Sequence, residues 1–122
     1  MPSVLIVDQS EAVSRVCGRI LSEFGFLAIE AISTLEALVR FQADKPDVVI
    51  VDSSLDGALE LIENLRMLPN NQSLTILCSV TKADLRTLMA AKRAGANDTV
   101  LKPFDRKALA EVFSRICVSA AA

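Results

Sequence analysis

Four polar side chains stand where short apolar runs of this chain stop. They are Asp8 after Val4-Leu5-Ile6-Val7, Asp52 after Val48-Val49-Ile50-Val51, Ser79 after Ile76-Leu77-Cys78, and Lys102 after Val100-Leu101. A lone Asp after a strand commonly serves as a turn former or helix cap. Two acids, a hydroxyl and an amine in the same kind of position suit a more specific task, the acceptance of a phosphoryl group. One carboxylate would be the nucleophile, carboxylate oxygens would hold a hard cation, and the lysine and hydroxyl would stabilise the transferred oxygens. Composition narrows the field further. The absence of His, Trp and Tyr removes His-dependent triads, imidazole metal ligands and most aromatic stacking platforms. Thirteen basic residues against fifteen acidic ones, a net charge of −2, lack the positive excess of a phosphate-tracking groove or an acidic-membrane patch. Direct binding to nucleic acid or membrane is therefore not expected.

The elements that must position these four residues are legible as alternating short apolar runs and longer amphipathic segments. Strands are predicted at Ser3 to Val7, Leu27 to Ala31, Val48 to Val51, Leu74 to Ser79 and Thr99 to Leu101. Consecutive apolar positions such as Val48 to Val51 suit parallel strands covered by helices on both faces. The first helix is predicted from a Ser10 cap to Gly25, with Val13, Val16, Cys17, Ile20, Leu21 and Phe24 on its apolar face. Ser33 and Glu36 have capping-box spacing, followed by Leu35, Leu38, Val39 and Phe41. Ala58, Leu61, Ile62, Leu65 and Leu68 form a third face closed by Pro69, and Leu85, Leu88, Met89 and Lys92 a fourth ending at Gly95. Asp105 caps a fifth helix that buries Leu109, Val112, Phe113 and Ile116. Met67 and Met89, among leucines at helical spacing, are expected in the core.

Five strands alternating with five helices in 122 residues predict a single α/β domain spanning 1–122, a doubly wound parallel sheet of (βα)5 type. The flavodoxin-like strand order 2-1-3-4-5 places the useful crevice at the carboxyl ends of the strands, where the four polar residues converge. Cys17, Cys78 and Cys117 are odd in number, widely spaced and set in apolar stretches, so they are read as buried hydrophobes rather than disulfides. No signal-peptide pattern opens the chain and no apolar run approaches membrane-spanning length, which makes a cytoplasmic location the expectation.

Over essentially its whole length the sequence resembles the CheY-like receiver domain of bacterial two-component response regulators. Ala94-Gly95-Ala96-Asn97-Asp98-Thr99-Val100-Leu101-Lys102-Pro103-Phe104-Asp105 is similar to the family's stretch from the fourth helix through the Lys-Pro-Phe turn. Val4 to Asp8 and Pro46 to Asp52 resemble its first and third strands with their acidic ends. The resemblance implies that Asp52 is the phosphoacceptor and Lys102 its ion-pair partner and phosphoryl contact, next to a cis Lys102-Pro103 bond. It implies a Mg2+ site drawn from Asp8, Asp52 and the backbone carbonyl of Ser54. Ser79 is similar to the switching hydroxyl that ends strand four, with Thr81 the alternative.

This sequence departs from the family pattern at several positions. Gln9 replaces the second acid of the pair; its oxygen can ligate a hard cation but brings no charge, which weakens the expected Mg2+ affinity. The loop from Ser53 to Gly57 is shorter than the family's and lacks its Pro; Asp56 there is read as a turn residue or cap. Thr99 stands where the family commonly carries the aromatic that moves with the strand-four hydroxyl. The function expected is that of a single-domain response regulator, phosphorylated on Asp52 by a histidine kinase or phosphotransfer protein. Phosphoryl transfer is self-catalysed in the family, so no free-standing enzyme is implied. Output is expected through a downstream protein bound on the helix 4 to helix 5 face, where Arg86, Lys92, Arg93, Arg106 and Lys107 fall, and homodimerisation is a further expectation. The alternative is a pseudo-receiver, a phosphorylation-independent interaction or dimerisation module; a receiver cut from a longer regulator is a third reading.

Overall fold

The computed structural model describes residues 1–69 and 73–121, with residues 117–121 described by their helical backbone alone. The Cys117 thiol therefore lies outside the described side chains. Five strands, β1 (Ser3–Val7), β2 (Leu27–Ala31), β3 (Val48–Asp52), β4 (Thr75–Val80) and β5 (Asp98–Leu101), alternate with five helices. These are α1 (Glu11–Glu23), α2 (Thr34–Asp44), α3 (Ala58–Met67), α4 (Leu85–Ala94) and α5 (Arg106–Ala121). The strands form one parallel sheet in the order β2-β1-β3-β4-β5, as the alternation predicts.

Successive side chains of a strand point to opposite faces, and the sheet uses this to build two cores. Leu5, Val7, Val49, Val51, Ile76, Cys78 and Val80 pack with Phe41 of α2, Leu61, Ile62 and Leu65 of α3, and Ala91 of α4. Val4, Ile6, Val48, Ile50, Leu77 and Val100 pack on the other face with Cys17 and Leu21 of α1 and Leu109, Val112 and Phe113 of α5. Phe26 and Phe113 meet edge to face there, ring centroids 5.1 Å apart. Every residue of β3 is buried, which accounts for its unbroken apolar run.

The helix starts follow their capping chemistry. Ser10 accepts from the Val13 amide and Ser33 from the Glu36 amide, while Glu36 reaches back to the Ile32 amide. Asp105 accepts from Ala108, as its position suggests, and Asp84 caps α4 through Thr87. At the opposite end of the sheet from the candidate site, the Arg66 guanidinium donates to Gly95 O at 3.0 Å, Leu74 O at 2.8 Å and Asn97 Oδ1 at 2.7 Å. It thereby ties α3 to the start of β4 and to the turn between α4 and β5.

Two sets of expectations are corrected. Strand β4 begins at Thr75 and runs through Val80, because Val80 still pairs with Leu101; β3 and β5 likewise each extend by one polar residue, Asp52 and Asp98. The predicted apolar faces of the helices are too wide. Val16, Leu35, Val39, Leu85 and Leu68 are exposed, and Met67 and Met89 are exposed rather than core. A helix lying on a sheet seals only the stripe directly beneath it, and on α4 that stripe narrows to the single buried residue Ala91.

Candidate functional site

Asp8, Asp52, Ser79 and Lys102 come together at the carboxyl edge of the sheet. Central strands carry the two acids there side by side: Val7 pairs with Val51, and each acid follows directly. Asp52 is in register with Ser79. Lys102 arrives just past β5, its amide donating to Val80 O at 2.8 Å, and the Lys102–Pro103 bond is cis.

Asp8 and Asp52 are almost completely buried, 2% and 3% exposed. Isolated carboxylates cannot be buried cheaply, and each is compensated. Lys102 Nζ lies 2.6 Å from Asp8 Oδ2 and 3.4 Å from Asp52 Oδ1, so one ammonium serves two acids and leans towards Asp8. Asp8 Oδ1 also accepts from the Ser10 amide at 2.9 Å. Asp52 Oδ1 accepts from the Ser54 amide at 3.1 Å, and the Ser54 hydroxyl, with one proton to donate, lies 3.0 Å from Oδ1 and 2.9 Å from Oδ2. The Ser54 hydroxyl is the site feature that the sequence reading missed, having assigned only the backbone carbonyl; the available signal was the Asp-x-Ser spacing, which favours side-chain turns of this kind.

Ser79 is buried, and its hydroxyl donates weakly to Val51 O at 3.4 Å. Thr81, the alternative hydroxyl, lies past the end of β4 and is exposed. Gln9 is exposed beside Asp8. Asp56 is an exposed turn residue, and Gly57, at φ 77°, is the α3 cap, so Asp56 does not cap that helix. Thr99 sits half-buried opposite Cys78 in β5. Cys17 and Cys78 are buried free thiols. Burial, with the nearby Asp8 charge, pushes Cys17 up to about 12; burial and the Asp52 charge push Cys78 up to about 11. Both are inert neutral groups at physiological pH, which suits packing and not redox chemistry.

Two buried carboxylates with a neighbouring amide are hard oxygen donors. They fit a small cation such as Mg2+, which keeps several waters and takes one or two carboxylates plus substrate oxygens. Among the described residues no cluster of three or more His, Cys, Asp or Glu is placed to hold a metal ion. Beside the site opens an apolar groove of about 390 Å3, lined by Ala12, Val13 and Val16 of α1 and by Thr81, Lys102, Pro103 and Phe104. No described helix is long and apolar enough to cross a membrane.

Residues 4–114 match the response regulator receiver domain family. The chain is 30% identical over 106 residues to the phosphate regulon transcriptional regulatory protein PhoB of Rhizobium meliloti, covering 85% of this chain and 47% of that protein. It spans about half the length of the curated relatives it matches. Among solved structures it is similar to the chemotaxis response regulator CheY4 of Vibrio cholerae, with 26% identity and a TM-score of 0.88 over 95% of this chain and 98% of that one. A response regulator from Thermotoga maritima is 28% identical, with a TM-score of 0.86 over 97% of this chain and 98% of that one.

Proposed function

Because this chain belongs to the response regulator receiver domain family, we propose that it acts as a phosphoryl-accepting switch in two-component signalling, with Asp52 as the acceptor. The observation that carries this reading is the buried Asp52 carboxylate held beside Asp8 and Lys102 at the sheet edge. Two buried acids sharing one lysine add little stability over apolar packing, so their presence favours a chemical role over a phosphorylation-independent module.

In this mechanism an Asp52 oxygen attacks the phosphorus of a phosphohistidine on a histidine kinase or phosphotransfer protein. The O–P bond forms as the P–N bond breaks, and the leaving imidazole takes up a proton. Bound Mg2+ supplies positive charge that offsets repulsion between Asp52 and the incoming phosphoryl group. Asp8, Asp52 and the Ser54 carbonyl would hold it, with Gln9 a weak neutral contributor. Lys102, tethered to Asp8, stays in place to meet the transferred oxygens, and Ser79, only weakly bonded, is free to turn towards them. The groove beside Lys102 offers the phosphodonor apolar surface to bury. Output passes to a protein partner through the face of α4, β5 and α5, in a cytoplasmic setting.

Intact-mass measurement after incubation with acetyl phosphate and Mg2+ tests the reading. One added phosphoryl group is expected on the wild type and none on Asp52→Asn. A wild-type protein that stays folded and gains no mass with any small-molecule donor refutes it.

A further inference from the structure

We propose that the outer faces of α3 and α4 together form a self-complementary docking surface for a second copy of this chain, the acidic row of α3 meeting the basic row of α4 in the other copy. The two helices lie side by side on one face of the sheet. Each returns the chain between neighbouring parallel strands, so they run in the same direction. The bond from Arg66 Nε to Gly95 O, at 3.0 Å, brings their carboxyl-terminal ends level. On α3 the buried residues Ala58, Leu61, Ile62 and Leu65 face the sheet, which turns Leu59, Glu60 and Glu63 outward. On α4 the buried residue is Ala91, and Arg86, Met89 and Arg93 stand outward; all six outward residues are exposed. Charge is segregated by helix, acid on the outside of α3 and base on the outside of α4. Among the described residues none of Glu60, Glu63, Arg86 and Arg93 enters an ion pair.

A two-fold axis along the seam between the helices lays α3 of one copy over α4 of the other. Rotation about that axis keeps the helix direction and shifts nothing along it, so residues level within one copy stay level across the pair. Arg66 and Gly95 are 29 positions apart. By the same offset Glu63 comes level with Arg93 of the second copy, and Glu60 with Met89, between Arg86 and Arg93. Symmetry makes each contact twice. Leu59 and Met89, 38% and 49% exposed, supply apolar surface beside the charges. Charge also selects the arrangement and the occupant: α3 on α3 sets acid against acid, α4 on α4 sets base against base, and a partner of one sign suits only one helix. Two ten-residue helices per copy offer less than the roughly 800 Å2 per partner of a standard interface. The dimer is therefore weak, with a Kd on the order of 100 µM.

Sedimentation equilibrium without any phosphodonor tests the surface independently of Asp52. The wild type is expected to form a dimer in low salt that weakens in high salt, because exposed charges are screened. Glu60→Lys with Glu63→Lys, and separately Arg86→Glu with Arg93→Glu, should each weaken self-association more than about tenfold by setting like charges together. An equimolar mixture of the two double variants should dimerise with wild-type affinity, since the mixed pair again has opposite charges at both contacts. All four substitutions are at exposed positions, and circular dichroism checks that the fold is kept. A wild type that stays monomeric up to about 1 mM overturns the proposal without recourse to any variant. So does a mixture that stays monomeric, or a dimer that the α4 substitutions break and the α3 substitutions leave intact, which would place the contact on another face of α4.

Discussion

Replacing Lys102 by Met keeps the length of the side-chain stem and removes the one cation that, among the described residues, contacts two acids that are 2% and 3% exposed. Breaking a buried ion pair from one side strands the other charge, at a cost of about 3–5 kcal/mol. The lower end applies here, because Asp8 keeps its Ser10 amide and Asp52 its Ser54 donors. At about 2.1 cal/mol/K per residue of unfolding entropy, a loss of about 3 kcal/mol in a 122-residue chain lowers Tm by about 12 °C. The assay is thermal unfolding by circular dichroism at pH 7, with and without Mg2+. Added Mg2+ should recover several degrees in Lys102→Met, because a cation then meets two unpaired carboxylates. Adding Asp52→Asn to Lys102→Met removes one of the two stranded charges and should return about half of the lost stability. A Lys102→Met protein within about 3 °C of wild type, or one that the second substitution destabilises further, would falsify the claim that one ammonium neutralises both acids.

The remaining predictions concern the thiols and the far end of the sheet. The folded-state values of Cys17 and Cys78 are raised to about 12 and about 11 from 9.0, so the native state keeps protons that the unfolded chain releases. Their contribution is complete below pH 9 and is lost as pH rises through the folded values, so urea midpoints in a Cys117→Ser background should fall steeply above pH 9. Ellman's reagent should find no reactive thiol in that background at pH 8 without denaturant, and rapid labelling there would show that the thiols are not buried. Gly95 sits at φ +121° with a Cβ position 3.0 Å from Arg66 Cβ and Cγ; Gly95→Ala should cost more than about 1 kcal/mol, read as a lowered urea midpoint.

The strands were legible because burial on both faces demands unbroken apolar runs, as at Val48 to Val51, and the four candidate residues because each interrupts such a run at or beside the carboxyl end of its strand. What the sequence could not resolve is finer than a strand end. Ser79 and Thr81 are equivalent as residue types, and only the register that sets Ser79 against Asp52 separates their positions. Helical periodicity alone does not say how wide a stripe its neighbours will cover, so Leu35, Val39 and Leu85 read as core and are exposed. Lys102 was read as the partner of Asp52, yet its shorter contact is to Asp8, a preference of less than one ångström that no spacing encodes. Arg66 passed unnoticed because acceptors such as the Gly95 carbonyl and Asn97 Oδ1 lie far from it along the chain.

The strand order carries a consequence for how the chain comes together. β1 is made before the other four strands of this sheet, and it lies inside the sheet, between β2 and β3. The β1–α1–β2 unit can assemble first, but it presents Val4 to Val7 as an open apolar edge until the chain from Val48 onward arrives to pair with it. Exposed edges of this kind recruit other chains. Nascent or truncated products ending before β3 should therefore aggregate through β1, and those ending between Asp52 and Thr75 through the edge of β3 that awaits β4.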